Sequence, residues 1–276
     1  MKKTLLSTLV LAACSMQGAI ITFTQNIDLP AGNVISLFDS SLPNPALAGA
    51  VKATAWTLGT TATAPTIANG AFAQARLRNY GTAGLGVCNS VEILNGSSCS
   101  ATGNPTEHQV DNALGFDFVM FQFTTTSALS SPKQLATNIS IQMSNLASDW
   151  DVTYWLGNTT GNVNTALLVG KTAADLAGLG FQPAVNLNTS SSVLINSSGI
   201  VNLNIGNSIG YNTILFGTRG PAAGADTSLD GFKINRIGWT PTNGGTGVVE
   251  TIPEPGTYAM LGAGLLVLGY WRRKTA

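Results

Sequence analysis

Few side chains in this 276-residue chain could do chemistry, and they fall in two clusters. The first is His108, Asp111 and Asn112, followed by Asp117. Oxygens from Asp111, Asn112 and Asp117, with loop carbonyls, could hold a structural Ca²⁺, which takes six to eight oxygen ligands. The competing reading makes Asp111 and Asn112 turn residues bonded to their own backbone, and His108 a surface loop residue. His108 is the only histidine, so a zinc site built on several imidazoles is excluded. The second cluster is Asp149-Trp150-Asp151 with Tyr154-Trp155. Carboxylates beside aromatic rings suit sugar binding, and two carboxyls at set separations suit glycoside hydrolysis. On a strand, however, the two acids share a face only with Trp155, which leaves Trp150 and Tyr154 for a core. The residues carry no complete catalytic constellation, and the expectation is a protein that is not an enzyme and needs no cofactor.

The elements around these clusters read as strands. Leu135, Ile139, Ile141 and Met143 alternate with Asn138, Ser140, Gln142 and Ser144, and Ile200, Leu203 and Ile205 interleave with Asn202 and Asn204. Phe116 to Phe123 is apolar on both faces and predicts a central strand with a bulge near Phe118-Val119. Further strands are expected at 20–24, 34–38, 53–58, 72–77, 152–156, 212–216 and 232–239, separated by Gly, Asn, Pro and Ser clusters. One helix is expected, with Thr172 capping Ala173 to Ala177, Asp175 three residues on, and Gly178 and Gly180 ending it. No internal repeat supports a solenoid. The fold class is mainly β: a jelly-roll-like antiparallel β-sandwich over 20–247.

Charged residues make up 9% of the chain, far below the ~25% of ordinary soluble domains. Between Ile20 and Pro253 eight cations face twelve anions, a net −4, which offers no electrostatic footprint for nucleic acid. Solubility must rest on hydroxyl and amide groups.

Both ends read as targeting segments. Lys2-Lys3, the apolar run Leu5 to Ala13 and the small residues after it form a secretory signal over 1–19. Leu11-Ala12-Ala13-Cys14 offers a lipobox-like alternative to ordinary cleavage near Ala19. In the exported chain that leaves Cys88 and Cys99, an even pair in an oxidising compartment, and a disulfide closing the intervening loop is the simplest reading. At the other end Pro253-Glu254-Pro255 precedes an almost uncharged stretch, Thr257 to Trp271, and then Arg272-Arg273-Lys274. A helix from Gly256 to Trp271 would span roughly 24 Å, a marginal length against a ~30 Å hydrocarbon core. Tyr258 and Tyr270-Trp271 are placed as interfacial anchors, and the basic cluster reads as a cytoplasmic stop. The prolines keep the motif extended outside the bilayer.

The order of these three elements over 248–276 closely resembles the PEP-CTERM sorting tail of Gram-negative surface proteins. The resemblance implies that a membrane-embedded cysteine protease-transpeptidase, the exosortase, recognises the tail and removes the helix. It implies transient anchoring in the inner membrane, then delivery to an acceptor at the cell surface or in the extracellular matrix. A second stretch resembles a segment recurring in exosortase-dependent proteins. It combines Gly84-Leu85-Gly86-Val87, the run Pro105 to Asn112 (with its histidine displaced to the fourth position) and the apolar strand Phe116 to Phe123. That likeness implies export and a β-sandwich.

Three function classes follow. One is a non-catalytic surface or matrix protein, sorted by exosortase and associated with exopolysaccharide or biofilm. Another is a secreted carbohydrate- or ice-binding module, although Thr57 to Thr66 lacks a regular T-x-T array. The third is a hydrolase, for which the single histidine argues poorly.

Overall fold

The structure is a computed structural model describing residues 19–23, 26–29, 35–38, 50–59, 70–89, 109–112, 115–124, 132–144, 150–187, 199–218 and 230–242, with backbone alone at 26–29 and 35–38. Its contacts divide the chain into two units, 1–244 and 245–276, and every described residue belongs to the first.

Among the described residues, fourteen strands form one curled, antiparallel sheet: β1 (Ala19–Thr22), β2 (Asn26–Leu29), β3 (Ile35–Phe38), β4 (Ala50–Leu58), β5 (Phe72–Tyr80), β6 (Leu85–Cys88), β7 (Val110–Asp111), β8 (Phe116–Thr124), β9 (Leu135–Ser144), β10 (Val152–Gly157), β11 (Val185–Leu187), β12 (Val201–Asn204), β13 (Thr213–Thr218) and β14 (Gly231–Thr242). The main path runs β11-β10-β13-β8-β4-β5-β6-β14-β9-β12. The curl is visible in ring contacts between strands far apart on that path. Phe123 of β8 meets Trp239 of β14 at 5.3 Å, and Phe216 of β13 meets Phe232 of β14 at 5.6 Å.

Alternation explains the main core. Val51, Ala53 and Ala55, then Val119, Phe121 and Phe123, then Ile214 and Phe216 point inward from one arm. Ile139, Ile141 and Met143, with Ile234, Ile237 and Trp239, point inward from the other. Two register shifts keep these sets facing the same way. Along β14 the inward residues are Phe232 and Ile234, then Ile237 and Trp239, so the period of two breaks once. The shift lies between Ile234 and Arg236, where Asn235 is the extra residue. A second shift, between Gly238 and Thr240, leaves an extra residue in β9, where Asn138 adopts φ 49°. Asparagine tolerates that left-handed conformation better than most residues with a Cβ. The bulge turns Ala136 inward in place of Leu135, which alternation alone assigns to the core. The bulge expected near Phe118-Val119 is absent: β8 keeps unbroken register against both β4 and β13.

The double-sided apolar character of β8 has a simple cause. Its outer residues Phe116, Phe118 and Met120 join Trp56, Leu58, Phe72, Trp155 and Leu215 in a second core. The segment 158–184 covers it with Leu168, Leu176 and Phe181. Gln122 and the backbone of Asn164 exchange two hydrogen bonds of 3.1 Å, while the Gln74 amide donates to Thr165 O at 3.0 Å, so this cover is pinned to the sheet. Within it, the helix expected over Ala173 to Ala177 is a 3₁₀ helix, Ala173–Leu179. The Asp175 carboxylate accepts from the Thr172 backbone N–H (2.7 Å) and hydroxyl (2.9 Å), and Gly180 closes the helix. Those bonds hold the Asp175 carboxyl below its ordinary pKa.

Candidate functional site

The first cluster becomes a structural joint around an aspartate that pattern reading missed. Asp230 lies immediately before β14 and is 2% exposed. Its backbone N–H donates to Asn112 Oδ1 at 2.9 Å, and Asn112 Nδ2 donates to Asp230 Oδ2 at 2.9 Å. Asp230 Oδ1 accepts the backbone N–H of Asp151 at 2.9 Å. One carboxylate therefore ties the approach to β8, the start of β10 and the start of β14. No pairwise spacing could signal this, because Asn112 and Asp230 are 118 residues apart.

Asp111 stands opposite Gly231 in the short β7–β14 ladder. Asp117 lies on β8, where Oδ1 accepts from Asn89 Nδ2 at 3.4 Å. The Asn112 carboxamide is thus committed to Asp230, while Asp117 turns to a different neighbour. Among the described residues no group of three or more His, Cys, Asp or Glu side chains is arranged to hold a metal ion. His108 lies outside the described residues, as do Cys14, Cys99 and Asp149. Cys88 ends β6 with its side chain buried.

The aromatic cluster divides between the two cores. Trp150 and Tyr154 lie in the inner one. Trp155 lies in the outer one, edge-on to Phe118 at 5.5 Å and 6% exposed beneath the cover. Asp151 is fully buried. Neither ring nor acid offers a face on which a sugar could stack.

The segment GLGV also finds a physical reason. Gly84 has φ 99°, and a Cβ there would stand 2.5 Å from the backbone oxygen of Ile234. Only glycine lets the chain turn so close to β14. Leu85 then pairs with Ile234, so GLGV, Asp111-Asn112 and the approach to β8 all converge on the first residues of β14.

The polar counterpart lies on the outer face of the other arm. There Asn138, Ser140, Gln142, Asn202, Asn204 and Arg236, with Ile141 and Leu203, line a shallow depression of about 370 Å³. Its rows follow the ladder. Thr22, Arg236, Gln142 and Asn202 stand side by side on β1, β14, β9 and β12, and Ile20, Gly238, Ser140 and Asn204 form the next row. Gln142 Nε2 donates to Asn202 Oδ1 at 2.8 Å.

Two lysines of the first arm are strained electrostatically. The Lys133 ammonium donates to Thr159 Oγ1 at 2.6 Å, Thr159 O at 3.4 Å and Thr160 O at 3.2 Å, all neutral acceptors. Burial lowers its pKa to about 8. Burial also lowers that of Lys52.

Residues 251–274 match the family model of the PEP-CTERM protein-sorting motif. The match contains Pro253, Glu254, Pro255, the apolar stretch 257–271 and Arg272, Arg273 and Lys274, all outside the described residues. Among the described residues no helix is long and apolar enough to cross a membrane. No curated protein and no solved structure gives a match to the chain.

Proposed function

We propose that this chain is a non-catalytic surface or matrix protein that acts after exosortase has processed its tail. The observation that carries the reading is the motif at 251–274, which implies exosortase-dependent sorting of an exported protein. In the proposed sequence of events, the signal at 1–19 directs export and the helix 257–271 holds the chain transiently in the inner membrane. Arg272, Arg273 and Lys274 stay on the cytoplasmic side, and cleavage near Pro253-Glu254-Pro255 hands the β-domain to an outer-surface acceptor. The domain itself is proposed as a jelly-roll-like sandwich stapled by Cys88–Cys99. The commitment of Asp151, Asp230 and Asn112 to holding strands together supports a structural role over catalysis.

The test is mass spectrometry of the surface-extracted protein. A C-terminus ending near the motif is expected, and replacing Pro253-Glu254-Pro255 by alanines should leave an uncleaved chain in the inner membrane. An intact Ala276 on surface protein, in cells that possess an exosortase, would reduce the tail to an ordinary anchor.

A second reading, a module that binds exopolysaccharide or another carbohydrate, draws on the amide-lined depression. The stretch Thr57 to Thr66 weighed for ice binding falls mainly outside the described residues.

A further inference from the structure

We propose that the outer face of β1, β14, β9 and β12 is a binding site for an extended acidic polysaccharide, with Arg236 as the group that takes a sugar carboxylate. The proposal rests on the carbohydrate-binding reading and gives it a place and a ligand class.

Three observations carry it. First, the depression is lined by side chains that donate and accept together. The carboxamides of Asn138, Gln142, Asn202 and Asn204, with the Ser140 hydroxyl, match the mixed donor-acceptor character of sugar hydroxyls. The Gln142–Asn202 bond fixes one pair of amides relative to each other, which limits the side-chain entropy lost on binding. Second, among the described residues Arg236 is the one charged residue in the lining, and no carboxylate accompanies it. A guanidinium presents a planar fork of donors that fits a carboxylate bidentately. In a domain with net negative charge, a lone cation among amides selects for an anionic partner at that point. Third, the fold puts Arg236 there by a specific device. The extra residue Asn235 breaks the alternation of β14; without it Arg236 would face the apolar core between Ile234 and Ile237. Asn235 is itself tied to Thr82 O at 2.9 Å. Bulges are a recurrent way of re-aiming a side chain beside a site.

The shape fits a chain rather than a single sugar. Four neighbouring strands, about 4.8 Å apart, spread each row over roughly 14 Å. Gly238 lets the second row pack closely: a Cβ there would come within 2.8 Å of Ser140 Oγ, so the Ser140 hydroxyl lies over the glycine. Ile20, half exposed opposite Gly238, offers an apolar contact for a sugar's C–H face. Among the described residues β12 ends the main strand path, so the rows reach the end of that path.

The test is calorimetric titration of the full chain in detergent micelles, at low salt, with oligogalacturonate. The same oligomer with its carboxyls reduced to alcohols serves as the neutral probe. Wild type should bind the acidic oligomer and lose affinity as salt rises. Arg236→Gln should weaken binding by at least about tenfold, the scale of a lost charge-assisted pair. Asn202→Asp, at an exposed position that keeps the acceptor for Gln142, should weaken it comparably by repulsion. Lys171→Gln, on the cover of the opposite arm, should change nothing. Equal affinity of wild type and Arg236→Gln would overturn the site while leaving polysaccharide association on another surface. Equal affinity for the reduced oligomer would overturn the acidic ligand class. Failure of folded wild type to bind either oligomer would overturn the site, and co-extraction of the sorted protein with exopolysaccharide then decides separately whether association survives. None of these outcomes alters the sorting reading, which the mature C-terminus decides.

Discussion

Replacing Asp230 by alanine removes an acceptor shared by two segments, the approach to β8 and the start of β10. Two donors lose their partner: Asp151 N–H and Asn112 Nδ2, each at 2.9 Å. Hydrogen bonds to a charged group contribute about 1.5–3 kcal/mol each, and a buried donor left unsatisfied costs about 1–3 kcal/mol. Partial relaxation and water entry offset some of this, so the expected loss is about 3–4 kcal/mol, a large share of a typical 5–15 kcal/mol. Asp230→Asn keeps the volume but supplies one oxygen for two donors. Whichever way the new amide turns, it meets an N–H with an N–H, and about 1–3 kcal/mol is expected. Urea unfolding of the purified protein, followed by tryptophan fluorescence, measures both. A double-mutant cycle with Asn112→Ala should return a coupling above about 1 kcal/mol, because the two residues bond reciprocally. A loss below about 1 kcal/mol for Asp230→Ala, or strict additivity with Asn112→Ala, would refute the joint.

Lys133 gives a pH prediction. Its pKa falls from 10.5 to about 8 on folding, so the unfolded chain holds the proton more tightly between those values. Stability should therefore rise as pH climbs from about 8 toward 10.5, by about 1–2 kcal/mol once the group's partial exposure is discounted. Lys133→Met should flatten that part of the rise in urea midpoints, leaving whatever Lys52 contributes in the same direction. A slope identical in the variant would show that another group titrates. Gly84→Ala should cost about 2–4 kcal/mol, since strain at positive φ adds to a clash with rigid backbone. Calorimetric melting that places the variant within a few degrees of wild type would contradict it. Finally, peptide mapping without reductant should recover Cys88 and Cys99 in one linked species; two separately alkylated peptides would remove the proposed staple.

The β class was legible because strands leave a period of two. β9 and β14 appeared close to their observed bounds, and the Thr172–Asp175 cap was readable because its residues are neighbours in sequence. The strands that escaped notice, β2, β6, β7 and β11, are two to four residues long, and β6 contains a glycine. Bulges hide in the same signal that reveals strands. The break between Ile234 and Ile237 was available to a careful count, whereas the bulge at Asn138 moved Ala136 into the core against simple alternation. The apolar outer residues of β8 announced burial on both faces but not their cover, since the segment 158–184 has no regular period. Of the candidate site, Asp111, Asn112 and the Asp151 region were visible as polar clusters. Their meeting point, Asp230, depends on tertiary proximity alone. Arg236 and the amide rows were equally hidden, because they form only when four strands from distant parts of the chain align.

The position of β14 in the chain sets a timetable. This strand pairs with β1, β6, β7 and β9, and its residues Phe232, Ile234, Ile237 and Trp239 fill the inner core. Its partner β1 waits across about 220 residues of sequence, from Ala19 to Trp239. Contacts of such range are slow to form, and here none of them can form before β14 has been made. The last of the described strands to emerge is thus the one that shuts the domain, about ten residues ahead of the sorting motif at Pro253. A nascent chain interrupted anywhere before Gly231 lacks both its closing strand and its address label. Incomplete products should consequently be open to proteases and incapable of being sorted, so that completeness of the domain is checked by the same stretch of synthesis that supplies the tail.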